Sequence, residues 1–211
     1  LETFDAAEEA LGKMGPYLVD VVESRRRNLG SDVLSGLIVA EEEGDRLSTE
    51  ELLSFVILLY VAGHETTVNL IGNGMLALLR NPDQLDRWRR DPSLDAIAID
   101  ELLRFDGPVQ HTARVAMVPM SFGEGAQRVD LEPGTTVLTV LGAANHDPAV
   151  FDDPHALRLN RSNANRHLAF AAGVHYCLGA SLARLEATVA ISRLIRRFDH
   201  IELLAEPTFR D

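Results

Sequence analysis

The 211-residue chain, 46% hydrophobic and 25% charged, has the composition of an ordinary soluble globular protein and is long enough for one domain with a substantial core. A formal net charge of −12 excludes a general nucleic-acid binder, which needs a basic footprint. The single cysteine excludes an intramolecular disulfide and a multi-cysteine zinc site and fits a reducing cytosol, so a cytoplasmic location is expected.

No membrane association is expected, because the longest apolar run, residues 52–63, contains Ser54 and is too short to cross a bilayer. The chain opens Leu1-Glu2-Thr3-Phe4, without methionine or a basic-then-apolar signal, and reads as a fragment or a processed piece.

Residues 1–30 read as helix, with a partial stripe of Phe4, Leu11, Leu18, Val21 and Val22 and a stop at Gly30. Gly12, Gly15 and Pro16 interrupt it and allow two pieces. A second short apolar segment, residues 31–40, leads into an acidic turn over residues 41–45 that reads as a solvated loop.

Ser48 and Glu51 form a capping box. The helix it opens should run to about Arg80 and end at Asn81-Pro82. Leu52, Leu53, Phe55, Val56, Ile57, Leu58, Leu59 and Val61 are apolar on nearly every side, which predicts a helix buried all round. The polar cluster Gly63-His64-Glu65-Thr66-Thr67 at its centre is out of place on packing grounds and marks a candidate site. A zinc-protease HExxH would need histidine at position 68, which is Val68. The G-x-G-x-x-A match at Gly72, Gly74 and Ala77 lies inside a helical pattern rather than after a strand, and reads as close packing of small residues.

A short helix over residues 82–90, with Arg87-Trp88-Arg89-Arg90 at its tip, precedes a helix from Ser93 to Phe105. Residues 108–141 then turn to β character, split by Gly123, Gly125 and Pro133-Gly134, and predict a small antiparallel sheet. Asn145-His146-Asp147-Pro148 is a turn into a loop reaching about Leu168, and Ile201 to Leu204 reads as one strand.

Between that loop and the last helix lies the stretch Phe170-Ala171-Ala172-Gly173-Val174-His175-Tyr176-Cys177-Leu178-Gly179. Leu178, Leu182, Leu185, Val189, Leu194 and Phe198 then recur at helical spacing. Cys177 therefore lies at a helix N-terminus, where outward N–H groups and the macrodipole favour the thiolate, the form that ligates metal. A lone cysteine is more often a small hydrophobe, but the surrounding glycines let backbone approach a flat ligand closely.

The pattern Phe170-x-x-Gly173-x-His175-x-Cys177-x-Gly179 resembles the haem-ligand loop of the cytochrome P-450 family. Ala62-Gly63-His64-Glu65-Thr66-Thr67 is similar to the A-G-x-[DE]-T-[TS] segment of that family's distal helix. The resemblance implies a mainly α fold with a small antiparallel sheet and a long central helix. Residues 1–211 would form a single C-terminal haem-binding portion of a larger domain, without the N-terminal half and the extreme C-terminus. It further implies haem b with Cys177 as its proximal iron ligand, Glu65 and Thr66 as the acid–alcohol proton relay, and room for the haem face and dioxygen beside Ala62 and Gly63. Arg114 and His175 become haem-propionate partners, and Val109 and Gln110 become substrate-facing residues.

Glu101 and Arg104 match the family's E-x-x-R, a structural pair bracing the cysteine loop; Glu23–Arg26 and Glu43–Arg46 share the spacing but not the position. The family's third arginine falls, by register, on Ala156, leaving Arg158, His155 or no residue to complete the brace. The implied activity is that of a haem-thiolate monooxygenase of soluble bacterial type, oxidising a small hydrophobic substrate with dioxygen and electrons from ferredoxin and ferredoxin reductase. Arg184 and Arg87–Arg90 are candidate docking cations for that partner. Two alternatives are a non-catalytic P-450-like binding or activator protein and an inactive fragment. The first would tolerate loss of Cys177, Glu65 or Thr66, and all three are present. For residues 1–211 alone, the all-round apolar helix predicts a large exposed patch and self-association.

Overall fold

The computed structural model describes residues 2–42 and 48–208, in two compact units, residues 1–64 and 65–211. In the first unit, α1 (Glu2–Arg27) is continuous through Gly12, Gly15 and Pro16. Packing beyond the proline holds it: Leu18 is buried one turn before Val22, and Val22 packs with Ile38 and Leu52. The second helix, α2 (Val33–Glu42), opens on Asp32, whose carboxylate accepts the Ser35 amide at 2.9 Å. Glu41 and Glu42 belong to this helix, while residues 43–45 of the expected acidic turn lie outside the described residues.

The long helix α3 (Thr49–Arg80) begins and ends where its capping box and Asn81-Pro82 predict. The Ser48 amide donates to Glu51 Oε2 at 2.7 Å, and the Glu51 amide donates back to Ser48 Oγ at 3.2 Å. Its expected all-round burial does not hold in this structure. Leu58 and Tyr60 are each 58% exposed and Val68 54%, because the described elements fully cover α3 only at Leu52 in the first unit and at Leu70, Ala77 and Leu78 in the second, with Leu53, Val56, Ile71, Met75 and Leu79 partly covered. The exposed apolar surface expected of this chain is therefore present.

In the second unit, α4 (Pro82–Arg90) buries Trp88 completely, and the indole N–H donates to Asp95 at 2.6 Å. Removing such a side chain from water contributes about 5 kcal/mol before entropy, at roughly 200 Å² and 25 cal/mol/Å². The expected helix from Ser93 to Phe105 is divided: a 3₁₀ turn, Pro92–Ala96, precedes α5 (Ala98–Asp106). Asp91 starts that turn by accepting the Ser93 amide, and Ile97 separates the two pieces.

Four strands follow: β1 (Thr112–Val115), β2 (Met120–Phe122), β3 (Val129–Leu131) and β4 (Thr136–Thr139). They pair as two antiparallel ribbons rather than one sheet, β1 with β4 and β2 with β3. Gly134, at φ 88, supplies the left-handed residue of the turn before β4. A single-turn helix, α6 (Leu141–Ala144), leads to the long loop, and α7 (Ala180–Arg197) closes the unit. Residues 201–204 form no strand, as none of the described strands pairs with them.

The core of this unit gathers Leu78, Trp88, Ile99, Leu102, Leu159, Ile191 and Ile195. Gly74 fits close packing of small residues: a Cβ there would come within 3.0 Å of Leu102 and 3.1 Å of Ile191, whereas one at Gly72 meets nothing within 4 Å. The face of α7 that packs is Ala180, Ala187, Ile191 and Ile195; the larger stripe of Leu178, Leu182, Leu185 and Val189 is exposed. Helical spacing located that helix, and its alanine and isoleucine face is the one that packs in the core, alongside α4 and α5.

Candidate functional site

Cys177 is half-buried, and its amide donates to the Phe170 carbonyl at 3.0 Å, closing the preceding residues into a loop. Within it the Ala171 amide donates to Leu168 O at 2.8 Å and the Tyr176 amide to Gly173 O at 3.1 Å. Two residues turn the chain through the left-handed region, Ala171 at φ 57 and Gly173 at φ 70. Gly179 is the N-cap of α7, and the nearest atom to a Cβ placed there is the Cys177 sulfur, at 4.0 Å. Phe170 is buried, while residues 172–176 and 178–179 are exposed.

This geometry fits a cofactor that needs one protein donor. A soft sulfur sits at the entrance of an 18-residue helix, and a Cβ on Gly173 would find open space. Among the described residues, no group of three His, Cys, Asp or Glu side chains gathers as a self-sufficient metal site.

The candidate proton-relay residues sit together on α3, Glu65 exposed and Thr66 half-buried, one turn after the exposed pair Ala62 and Gly63. Arg114 lies on β1, exposed, with a guanidinium nitrogen 2.7 Å from both Thr112 Oγ1 and Ala113 O, and it forms no ion pair among the described residues. His175 ends the 3₁₀ turn Gly173–His175 and is exposed. Val109 and Gln110 are exposed beyond α5, with the Gln110 amide nitrogen donating to Gly107 O at 2.7 Å.

Glu101 and Arg104 have fully buried side chains. Arg104 donates to both Glu101 oxygens at 2.7 and 2.9 Å, and to the carbonyls of Asn145, Pro154 and Ala156. The Glu23–Arg26 pair has the same spacing, but Glu23 is 55% exposed at 3.6 Å; Glu43–Arg46 lies outside the described residues. A third arginine does join this pair, and its side chain comes from neither Arg158 nor His155. Arg161, 5% exposed, places Nε 3.0 and 3.1 Å from the Glu101 oxygens and donates to the carbonyls of Asp152, Asp153 and Ala156. Arg158 contributes only its backbone amide to Glu101, while its guanidinium pairs with Asp152 and Asp153 at the surface. The loop brings Arg161 back onto α5 from outside the register position Ala156, a placement that no local spacing announces.

Arg87, Arg89 and Arg184, among the candidate docking cations, make contacts within the fold. Arg87 donates to Asn160, and Arg89 holds the Ile195 and Phe198 carbonyls at the end of α7. Arg184 donates to Asp100 at 2.8 Å and lies over the Phe170 ring. Burial pushes the Asp100 carboxyl up, but hydrogen bonds from His167 and Arg184 outweigh it and hold the group below the usual carboxylate range. Neither Asp100 nor His167 carries a motif by which the sequence could have singled it out.

A family model described as cytochrome P-450 matches residues 2–91 and 92–208. Over 204 residues the chain is 46% identical to cytochrome P-450 107B1 of Saccharopolyspora erythraea, covering 96% of this chain and 49% of that protein. Over 203 residues it is 44% identical to the cytochrome P-450 monooxygenase PikC of Streptomyces venezuelae, covering 95% and 48%. Among solved structures, the econazole-bound CYP164A2 of Mycobacterium smegmatis superposes with a TM-score of 0.89 at 41% identity, covering 98% of this chain and 50% of that one. The chain thus spans about half the length of the curated relatives it matches.

Proposed function

The chain belongs to the cytochrome P-450 family, and on that premise we propose that it is the haem-binding portion of a monooxygenase with Cys177 as the thiolate ligand of haem b. The substrate is a small hydrophobic organic molecule, hydroxylated or otherwise oxidised with dioxygen. Electrons come from ferredoxin and ferredoxin reductase, and the protein works in the cytoplasm. The observation that carries this reading is the Cys177 loop: a lone sulfur at the start of α7, its amide tied back to Phe170 and its surroundings open.

When bound, the haem supplies the iron chemistry that activates dioxygen. The chain's own residues do the rest. Cys177 would hold the metal through its sulfur. Glu65 and Thr66 pass protons from the carboxyl to the hydroxyl on α3. Ala62 and Gly63 present no bulky side chain on the turn before them. Arg114 and His175 would bind the propionates, for which an exposed guanidinium without a carboxylate partner among the described residues is suited. Val109 and Gln110 face the substrate, and the hydrogen bond to Gly107 fixes the Gln110 amide. Glu101, Arg104 and Arg161 brace the loop leading to Cys177.

The test is a spectrum of the protein expressed from its whole reading frame, loaded with haem, reduced and exposed to carbon monoxide. A red-shifted Soret band is expected, and Cys177→Ala removes it. Folded, haem-loaded protein without that band overturns the assignment. With the band established, a change of Thr66 to alanine should uncouple electron consumption from product formation while leaving the band in place.

A further inference from the structure

The Cys177 loop is held by a part-buried cluster of His167, Asp100 and Arg184. Resting on the assignment of Cys177 as the thiolate ligand, we propose that His167 is a positioning residue for it: fastened to Asp100, which Arg184 also holds, it fixes Phe170, whose carbonyl holds the ligand's amide. The His167 side chain is 2% exposed. Its Nδ1 lies 3.1 Å from the Ala169 amide, which donates to it. A ring nitrogen that accepts carries no proton, so in the neutral ring the proton is on Nε2 and points to Asp100 Oδ1 at 3.2 Å. The same oxygen accepts from Arg184 Nε at 2.8 Å. One carboxylate on α5 thereby ties the loop to α7.

Phe170 is enclosed by these groups. The Arg184 guanidinium lies 4.6 Å from its ring centroid, the His167 ring is tilted against it at 5.6 Å, and Tyr176 meets it edge-on at 6.3 Å. Its carbonyl takes the Cys177 amide at 3.0 Å. The segment between Phe170 and Cys177 contains two left-handed residues, Ala171 and Gly173, and residues 172–176 are exposed. Cys177 itself packs against the core and its carbonyl accepts the Ala180 amide at 3.3 Å on the α7 side, so Phe170 is its anchor on the loop side. A phenylalanine at 167 would retain the ring packing but leave the buried Ala169 amide without its acceptor.

The experiment compares wild type, His167→Phe, His167→Asn and His167→Gln in the haem-loaded protein expressed from its whole reading frame. The readouts are the ferrous carbon-monoxide spectrum, which separates thiolate-bound from thiol-bound iron, and the reduction potential. Asparagine places its amide oxygen near the position of Nδ1 and keeps the Ala169 acceptor; glutamine reaches towards Asp100 and loses it. Wild type and His167→Asn should show the red-shifted band. His167→Phe should hold a roughly tenfold larger thiol-bound fraction, as expected for one buried donor left unpaired, with a displaced potential and unchanged far-UV circular dichroism. A folded His167→Phe with wild-type spectrum and potential overturns the proposal, as does His167→Asn impaired to the same degree as His167→Phe. Should His167→Phe fail to fold, His167→Gln decides: an increased thiol-bound fraction supports the role, and a wild-type spectrum and potential overturn it. A wild type without the red-shifted band overturns the haem-thiolate assignment itself, an outcome distinct from failure of the His167 variants alone.

Discussion

Glu101→Gln removes one negative charge from a site with no access to water and leaves two guanidiniums converging on a neutral amide. The Glu101 and Arg104 side chains are fully buried and Arg161 is 5% exposed. The carboxylate accepts from Arg104 Nε and a terminal nitrogen, from Arg161 Nε, and from the Arg158 amide. Glutamine retains one acceptor oxygen, but its nitrogen presents hydrogens to an arginine donor. Breaking a buried pair by removing one partner costs about 3–5 kcal/mol, because the remaining charge stays desolvated. Against a typical folding stability of about 5–15 kcal/mol, that is roughly a fifth or more of the total. Equilibrium urea unfolding followed by circular dichroism reads the change. Glu23→Gln is the internal control: it has the same spacing to an arginine but an exposed carboxylate, so it should cost no more than about 0.5 kcal/mol. A Glu101→Gln variant within about 1 kcal/mol of wild type, or equal losses for the two variants, would refute the assignment of buried-charge energetics to this cluster.

Ala171→Gly should stabilise the protein by about 1 kcal/mol in the same assay, since position 171 sits at φ 57, where a Cβ is penalised; an unchanged or lower midpoint contradicts this. On α3, Gly72→Ala should gain about 0.5–1 kcal/mol of helix propensity, whereas Gly74→Val should cost about 1–3 kcal/mol against Leu102 and Ile191, and the reverse order would show that this interface yields. Hydrogen bonds from Arg196 hold the Asp95 carboxyl below its usual range, outweighing burial, with a further bond from the Trp88 indole. A depressed carboxylate contributes stability that is complete above about pH 4 and is lost as pH falls through the lower folded value. Asp95→Asn should therefore flatten the acid limb of a stability–pH curve, and an unaltered limb would count against the pairing. The 211-residue chain by itself should self-associate through Leu58, Tyr60 and Val68 on α3 and Leu182 and Leu185 on α7, as read by light scattering on a size-exclusion column; a monomeric, cooperatively melting species would contradict it.

Local patterns determined a good deal of this protein. The Ser48–Glu51 box and Asn81-Pro82 bounded α3, because capping and proline act within one turn of chain. Spacing around Cys177 placed the sulfur just before a helix, and the resemblance it carries led to the family that the comparisons show. Which face of each helix is covered was decided only by tertiary packing. Apolar stripes on α3 and α7 state that burial is possible but not which neighbour provides it, and α7 packs here through alanine and isoleucine rather than its leucines. The same holds for the charges. Glu101–Arg104 and Glu23–Arg26 are indistinguishable by spacing, and only the folded loop, which carries Arg161 back onto α5, excludes water from one of them. His167 and Asp100 lie 67 positions apart. The energy of such a pair comes from desolvation and enclosure, properties of the three-dimensional surroundings that no window of sequence contains.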